Sequence, residues 1–301
     1  MAWSSNDIGD QTGRRFVITG GNGGLGSVTA RALAGRGGAV VLACRDTQKA
    51  DSVAQAIGGN VSVASLDLAD LASIRAFAEQ QGEFDVLINN AGLMNIPFRR
   101  TVDGFEMQFG VNHLGHFALT AQLIGRITDR VVTLSSIAHG HTPKLWVGDL
   151  NYENRRYQRN LAYAQSKLAN LMFARELERR LVDAKSCVRS YGVHPGVSGT
   201  QLFARTETIF DRAGVFGASI VGHAPDKAAE SSLFAATEAA DPTVFWGPTG
   251  LLIQSRGPVR PARSTRLSRD RGLARRLWEE SEAMTGVEFS IPSRAQGREG
   301  T

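Results

Sequence analysis

Tyr163 and Lys167 stand four residues apart in Asn160–Leu181, a stretch whose apolar spacing predicts a helix. Residues four apart share one helix face, so a phenol and an ammonium are set side by side. A free tyrosine has a pKa of about 10, too high for a good base at neutral pH. A neighbouring ammonium favours the phenolate and lowers that value. Such a tyrosine can give a proton to a carbonyl oxygen or take one from an alcohol. Ser136 directly follows the apolar run Arg130–Ser135, which reads as a strand. A hydroxyl at a strand end can hydrogen-bond a substrate oxygen where negative charge develops.

A second cluster lies near the start of the chain. The apolar run Arg15–Thr19 leads directly into Thr19-Gly20-Gly21-Asn22-Gly23-Gly24-Leu25-Gly26, and a helical window, Leu25–Gly35, follows. A glycine-rich turn between strand and helix lets the backbone approach a pyrophosphate, and the helix N-terminus supplies free N–H donors and partial positive charge. The spacing is Gly-xxx-Gly-x-Gly rather than Gly-x-Gly-xx-Gly, and a purely structural turn is the competing reading. The next apolar run ends Ala43-Cys44-Arg45-Asp46. An acidic residue at this point binds the adenosine ribose hydroxyls of NAD, whereas an arginine pairs with the extra 2′-phosphate of NADP. Arg45 therefore points to NADP, unless it only faces water. Asp46 leaves NAD as the lesser alternative if its carboxylate turns inward.

The elements that must hold these groups alternate regularly. Arg15–Thr19, Ala39–Ala43, Val61–Leu66, Asp85–Asn89, Arg130–Ser135, Val188–His194 and Leu251–Ile253 read as strands, several of them continuous apolar strings suited to parallel strands covered on both faces. Thr47–Ile57, Leu71–Gln80 with Asp70 as its N-cap, Phe105–Ile124 and Asp226–Thr237 read as further helices. This alternation predicts an α/β fold, a doubly wound parallel sheet with helices on both faces. Residues 1–13 form an N-terminal segment, 14–290 a single domain, and 291–301 a disordered tail. Leu273, Leu277 and Trp278 fall on one face of a C-terminal helix that docks on the domain.

Three motifs in this order, Thr19-Gly20-x-x-x-Gly24-x-Gly26, Asn89-Asn90-Ala91-Gly92 and Tyr163-Ala164-Gln165-Ser166-Lys167, resemble the short-chain dehydrogenase/reductase superfamily from about Arg14 to Ile253. Leu42-Ala43-Cys44-Arg45-Asp46, Asn112-His113-Leu114-Gly115-His116-Phe117, Ser135-Ser136-Ile137-Ala138-His139 and His194-Pro195-Gly196-Val197 resemble its retinol-dehydrogenase-like and protochlorophyllide-reductase-like branch. The resemblance implies a Rossmann fold, a catalytic tetrad of Asn112, Ser136, Tyr163 and Lys167, and hydride transfer at a nicotinamide. It makes Ser136 rather than Ser135 the active serine, gives Lys167 the nicotinamide ribose, and has Asn112 hold a water behind the lysine. It also implies cofactor contacts from Gly20, Asn22, Gly24, Leu25 and Gly26; from Arg45; from Asp67 and Leu68 beside the adenine; and from Asn90, Ala91 and Gly92 beside the ribose. Pro195, Gly196, Val197 and Thr200 complete the set on the nicotinamide side. The positive charge of an oxidised nicotinamide would lower the Tyr163 pKa further.

The implied activity is NADP(H)-dependent interconversion of a lipophilic ketone or aldehyde with its alcohol. Two rivals are a dinucleotide-binding regulator without chemistry and a non-redox dehydratase or cyclase using the same tetrad. Residues 201–222 match the family's substrate lid, which Leu202, Phe203, Ile209, Phe210, Val215, Phe216 and Ile220 make apolar. The stretch between Ser136 and Tyr163, with Trp146, Tyr152, Arg155 and Arg156, is longer than in the shortest members. It forms a wall of the substrate mouth or covers a helix face used elsewhere for pairing subunits, which leaves homodimer and monomer both open.

Composition narrows the rest. No apolar stretch approaches the roughly 20 residues that span a bilayer, and Met1–Thr12 lacks a signal pattern, so the expected location is the cytoplasm, with no membrane anchor. The net charge of +5 owes much to eight arginines between Arg256 and Arg276, a run without interleaved aromatics and broken by Pro258 and Pro261, which reads as solvated surface rather than a nucleic-acid site. Arginine outnumbers lysine 29 to 5, which suits a GC-rich bacterial source. Cys44 and Cys187, both in apolar runs, read as buried free thiols. His113, His116, His139 and His141 carry no metal in the matching family stretches, so no metal is expected.

Overall fold

The structure is a computed structural model that describes residues 3–196, 225–250 and 256–292. Val197, Thr200, the expected lid at 201–222, the expected strand Leu251–Ile253 and the tail from residue 293 onward lie outside the described residues.

Among the described residues the chain builds one eight-stranded sheet in the order β3-β2-β1-β4-β5-β6-β7-β8. Strands β1 (Arg15–Thr19), β2 (Ala39–Cys44), β4 (Phe84–Asn89), β5 (Ile127–Leu134) and β6 (Arg189–Val193) occupy the middle, all parallel. Their interiors are buried nearly without interruption, as continuous apolar runs require. Strand β3 (Val61–Ser65) forms one edge and alternates between half-buried and exposed positions. The order reverses between β1 and β4, which opens a crevice at the carboxyl ends of the strands.

Two apolar cores cover the two faces. Helices α1 (Gly24–Ala34), α2 (Thr47–Ile57) and α7 (Pro225–Thr237) contribute Ala30, Leu33, Ala50, Ala229 and Leu233 to one. Helices α3 (Leu71–Gln80), α5 (Gly115–Leu123), α6 (Arg159–Asp183) and α8 (Arg271–Thr285) contribute Ile74, Phe117, Phe173, Leu177 and Trp278 to the other. The expected bounds of α2 and α3 hold to the residue, because aspartates close their first turns: Asp46 accepts from the Lys49 amide, and Asp70 from those of Ala72 and Ser73.

Four expectations are corrected. The helix expected over Phe105–Ile124 is instead α4 (Met107–Phe109), a π-helical turn at Gly110–Leu114, and α5. Glu106 caps α4, so the preceding residue Phe105 is not helical. Strands β7 (Phe245–Gly250) and β8 (Arg256–Pro261) had no counterpart in the sequence pattern; they pair antiparallel at the far edge, where Pro248, Pro258 and Pro261 are tolerated. Cys187 is exposed, because it precedes β6 on the turn at the sheet margin, while Cys44 is buried. Ile291 packs against the aromatic core, so order extends past residue 290.

The stretch between Ser136 and α6 covers a helix face. Leu145, Val147 and Leu150 pack with Leu168, Met172 and Leu277. Arg155 lies over the Tyr152 ring at 3.8 Å and the Trp146 ring at 4.5 Å, and pairs with Asp149 at 2.9 Å. The arginines described between positions 260 and 276 are all exposed, as solvated surface requires. Among the described residues no helix is long and apolar enough to cross a membrane.

Trp278 fastens α8 to the domain. Its ring is 2% exposed and lies 4.5 Å from Phe289, 5.1 Å from Phe117 and 5.8 Å from Phe173, with Arg180 over it at 4.2 Å. Trp278→Ala is expected to cost about 3–5 kcal/mol of stability, read as a lower urea midpoint with an unchanged slope; a shift under about 1 kcal/mol would show that α8 is not part of the cooperative unit.

Candidate active site

A cleft of about 470 Å³ opens where the strand order reverses, and the carboxyl ends of β1, β2, β4, β5 and β6 feed residues into it. At its floor, Gly20 takes φ +66°, a conformation that favours glycine. Gly26 lies where a Cβ would stand 2.5 Å from the Gly20 carbonyl and 2.7 Å from the Asn90 amide, so only glycine lets α1 approach the strand this closely. The α1 N-terminus is left open: its N-cap is Gly23, with no side-chain cap and no acid in the first turn. Helices α2 and α3, by contrast, have theirs closed by aspartate. An uncapped N-terminus aimed into a cleft fits a pyrophosphate. Gly20, Asn22, Gly24 and Leu25 line this end, with Gly26 just behind.

The β2 end carries the charge. Arg45 is 72% exposed and lies 4.0 Å from Asp67. Asp46 is spent on capping α2, which leaves it poorly placed to turn inward to a ribose. Lys49, overlooked in the sequence, also lines the cleft, and its Nζ lies 3.6 Å from where a Cβ on Gly23 would stand. The spacing of four from Arg45, at the start of a capped helix, was the available signal. Asp67 accepts from the Ala69 amide at 2.9 Å, and Leu68 stands beside it on the wall.

The turn after β4 is tied to β1. The Thr19 hydroxyl accepts from the Asn90 and Ala91 amides at 2.9 and 3.0 Å, and the Asn90 side chain donates to the Thr19 carbonyl at 2.8 Å. Asn89 points the other way, donating to Thr120 at 3.1 Å inside the core. Asn90, Ala91 and Gly92 thereby form the middle of the cleft wall.

Ser136, Tyr163 and Lys167 converge on the cleft, with Pro195 and Gly196 opposite. The Ser136 hydroxyl accepts from the Ala138 amide at 3.1 Å and hydrogen-bonds the Tyr163 hydroxyl. Ser135 is turned away, donating to the Lys167 carbonyl at 2.7 Å. Lys167 Nζ donates to the Leu134 carbonyl at 3.1 Å and lies 5.9 Å from the centre of the Tyr163 ring. Burial pushes the Lys167 ammonium down to about 8. The Tyr163 phenol was expected to be lowered by the lysine. It is instead pushed up to about 12 by burial, with the Ser136 hydrogen bond opposing. Asn112 lies behind the wall: its amide accepts from the Leu93 N–H at 2.7 Å and donates to the Leu93 carbonyl and the Ser166 hydroxyl, each at 2.9 Å.

The remaining wall is apolar. Leu93, Met94, Met107, Val111, Ile137 and Ala138 line it, none of them expected from the sequence to be a site residue. Met107 on α4 and Val111 on the π-helical turn are four apart, a spacing that the expected helix would also have placed on one face. Of the long stretch before α6, Ile137 and Ala138 reach the cleft, while Trp146, Tyr152, Arg155 and Arg156 do not. Three of the four histidines named from the sequence have protein partners: His113 bonds Ser281, His116 bonds Thr19, and His139 bonds the Ser136 carbonyl.

Comparison with known proteins places this geometry. The family profile described as short chain dehydrogenase matches residues 14–148. Human retinol dehydrogenase 13 is 40% identical over 302 residues, covering 92% of this chain and 86% of that protein. Human retinol dehydrogenase 12 is 48% identical over 203 residues, 63% of each chain. A crystal structure of a Mycobacterium paratuberculosis protein superposes with a TM-score of 0.84 at 44% identity, covering 96% of this chain and 100% of that one. Likeness of this extent, running through the whole Rossmann unit and its cleft, makes the chain a member of the short-chain dehydrogenase/reductase family on its retinol-dehydrogenase-like branch, a hydride-transferring oxidoreductase that uses a nicotinamide dinucleotide.

Proposed function

We propose that the protein reduces a lipophilic ketone or aldehyde with NADPH, and oxidises the matching alcohol in reverse, with Tyr163 as general acid and base. The observation that carries this reading is the Tyr163–Ser136 pair facing a cleft with an open helix N-terminus and two cations at one end and an apolar wall at the other. Arg45 and Lys49 suit a 2′-phosphate, and Asp46, committed to its helix, offers little to a bare ribose. Leu93, Met94, Met107 and Val111 suit an apolar substrate, the two methionines adapting to its shape.

When bound, the nicotinamide supplies or takes the hydride. Tyr163 stays a neutral phenol at neutral pH, ready to donate its proton to a carbonyl oxygen. Ser136 receives the Ala138 N–H, and its own proton, set on the Tyr163 oxygen, can turn to steady the same substrate oxygen. Lys167 uses one N–H on Leu134 and keeps two for the nicotinamide ribose. Asn112 holds Leu93 and Ser166, and through them the wall and the helix that bear these groups.

Purified protein should consume NADPH in preference to NADH with some member of a panel of lipophilic ketones and aldehydes; binding of neither cofactor would end the proposal, and product formed without cofactor turnover would favour a dehydratase or cyclase. Arg45→Asp is expected to weaken NADPH about 10- to 100-fold, the loss of a charge-assisted contact, and NADH far less; equal losses would remove Arg45 from the phosphate site. Tyr163→Phe is expected to lower kcat by about 100-fold or more with the NADPH Kd nearly unchanged, and substantial residual turnover would sink the assigned acid.

Lys167 also predicts a stability profile. Its folded pKa of about 8 lies below the ordinary lysine value of 10.5, so between these values the unfolded chain holds a proton that the folded chain has released. Stability therefore rises with pH across that window. Relative to Lys167→Met, the unmodified protein should gain stability from pH 8 toward 10.5 in urea titrations, and a flat difference would contradict the burial penalty.

A further inference from the structure

We propose that His116 is a positioning residue, held as its Nδ1–H tautomer, that locks the π-helical turn of Asn112 to the cofactor-binding turn at Asn90–Ala91. The inference rests on the cleft binding a nicotinamide dinucleotide. The ring lies between two fixed partners: Nδ1 is 3.0 Å from the Asn112 carbonyl oxygen, and Nε2 is 2.8 Å from the Thr19 hydroxyl. A carbonyl only accepts, so Nδ1 carries the hydrogen. In the neutral ring Nε2 is then an acceptor, and the Thr19 hydroxyl must donate to it. That hydroxyl has two lone pairs left, and the Asn90 and Ala91 amides occupy them at 2.9 and 3.0 Å. The Ile88 carbonyl also lies 3.4 Å from that hydroxyl, but Nε2 at 2.8 Å is the nearer acceptor for its hydrogen.

The chain runs from the Asn112 carbonyl through His116 and Thr19 to the backbone that lines the cleft. Every side chain in it is sealed: Thr19 and Asn112 are 0% exposed and His116 1%. A second hydrogen on Nε2 would meet an oxygen whose lone pairs are both engaged, and one of the amide bonds to the cofactor turn would break. Burial also disfavours the charged ring, as does the Lys167 ammonium. Asn112 grips the other end of the same wall, since its side chain holds Leu93 by both backbone groups. Residues 90–93 are thus set between two anchors that meet on one helical turn, Thr19–His116 and Asn112. Their height in the cleft, relative to Gly20 and Lys167, follows from where that turn sits.

His113, three residues earlier, points to the opposite side. Ser281 donates its own hydrogen to the Leu277 carbonyl at 2.7 Å, so it accepts from His113 Nε2–H at 3.0 Å. The two histidines therefore hold opposite tautomers, one facing α8 and the other facing the cofactor turn.

Two measurements test the proposal. In protein labelled with 15N-histidine, long-range proton–nitrogen correlation should show His116 as Nδ1–H and His113 as Nε2–H, with His116 unchanged from pH 8 to 5.5. This readout needs neither a variant nor a cofactor. An Nε2–H signal from His116, or titration in that range, overturns the proposal. Second, Thr19→Val and His116→Phe should each raise the NADPH Kd, read by fluorescence titration, by about tenfold, the loss of one buried hydrogen bond. Thr19→Ser should restore binding. The double variant should be little worse than the weaker single, because both break one chain. Losses that multiply in the double variant, or Thr19→Ser binding no better than Thr19→Val, would mean packing rather than relay and overturn it. If the unmodified protein binds neither NADPH nor NADH, the cofactor assignment fails, while the tautomers still report on the network.

Discussion

The site depends on the enclosure of α6. Almost every side chain from Ala164 to Ala174 is buried, whichever way it points, so the helix cannot rotate or slide without opening a core. It is enclosed by the sheet, by α4 and the π-helical turn, by α8, and by Leu145, Val147 and Leu150 from the stretch before it. Tyr163 and Lys167 inherit their positions from that enclosure. Three bonds then fix the register of α6 against β5: Lys167 Nζ and the Asn170 amide both donate to the Leu134 carbonyl, and Ser135 donates back to the Lys167 carbonyl. Ser136 follows Ser135 in the chain. The bond that sets the helix therefore also sets the serine opposite the tyrosine.

The same burial governs the proton chemistry. Spacing alone argues that a lysine beside a tyrosine lowers the phenol's pKa. In the folded protein both groups leave water, and desolvation moves them toward their neutral forms, the phenol up and the ammonium down. A neutral phenol is an acid rather than a base. This suits the proton donation proposed for Tyr163, and a bound positive charge would be needed to favour the phenolate. The charge state of Tyr163 is a property of the loaded site, which no spacing of residues in the chain can express.

What could be read from the chain, and what could not, divides along physical lines. Helices α2 and α3 were legible to the residue because a local event, an aspartate closing a first turn, marks where they begin. The glycine loop was legible because backbone geometry admits few other residues there. The π-helical turn was not, since Gly110–Leu114 continues the apolar character of its neighbours and its widening answers to tertiary contacts. Strands β7 and β8 were hidden by Gly and Pro, which a hairpin at the sheet margin tolerates and a central strand would not. Cys187 resembled a core residue by its neighbours but lies two positions before β6 begins. Lys49 was missed because a lysine in the first turn of a helix usually serves the solvent.

Asp46 illustrates how a side chain's local task can decide a distant preference. A carboxylate at the end of β2 is the natural partner of two ribose hydroxyls. Here the helix begins one residue later, and the carboxylate satisfies the Lys49 amide. Its backbone carbonyl, meanwhile, accepts from Asn22 at 3.2 Å across the glycine loop. Both ends of Asp46 are thus engaged in shaping the pocket rather than in lining it with negative charge. The cap also aligns the first turn of α2, and it is this turn that carries Lys49 back toward Gly23. One aspartate thereby withdraws an anion from this end of the cleft and brings a cation to it, an arrangement that would suit the proposed 2′-phosphate.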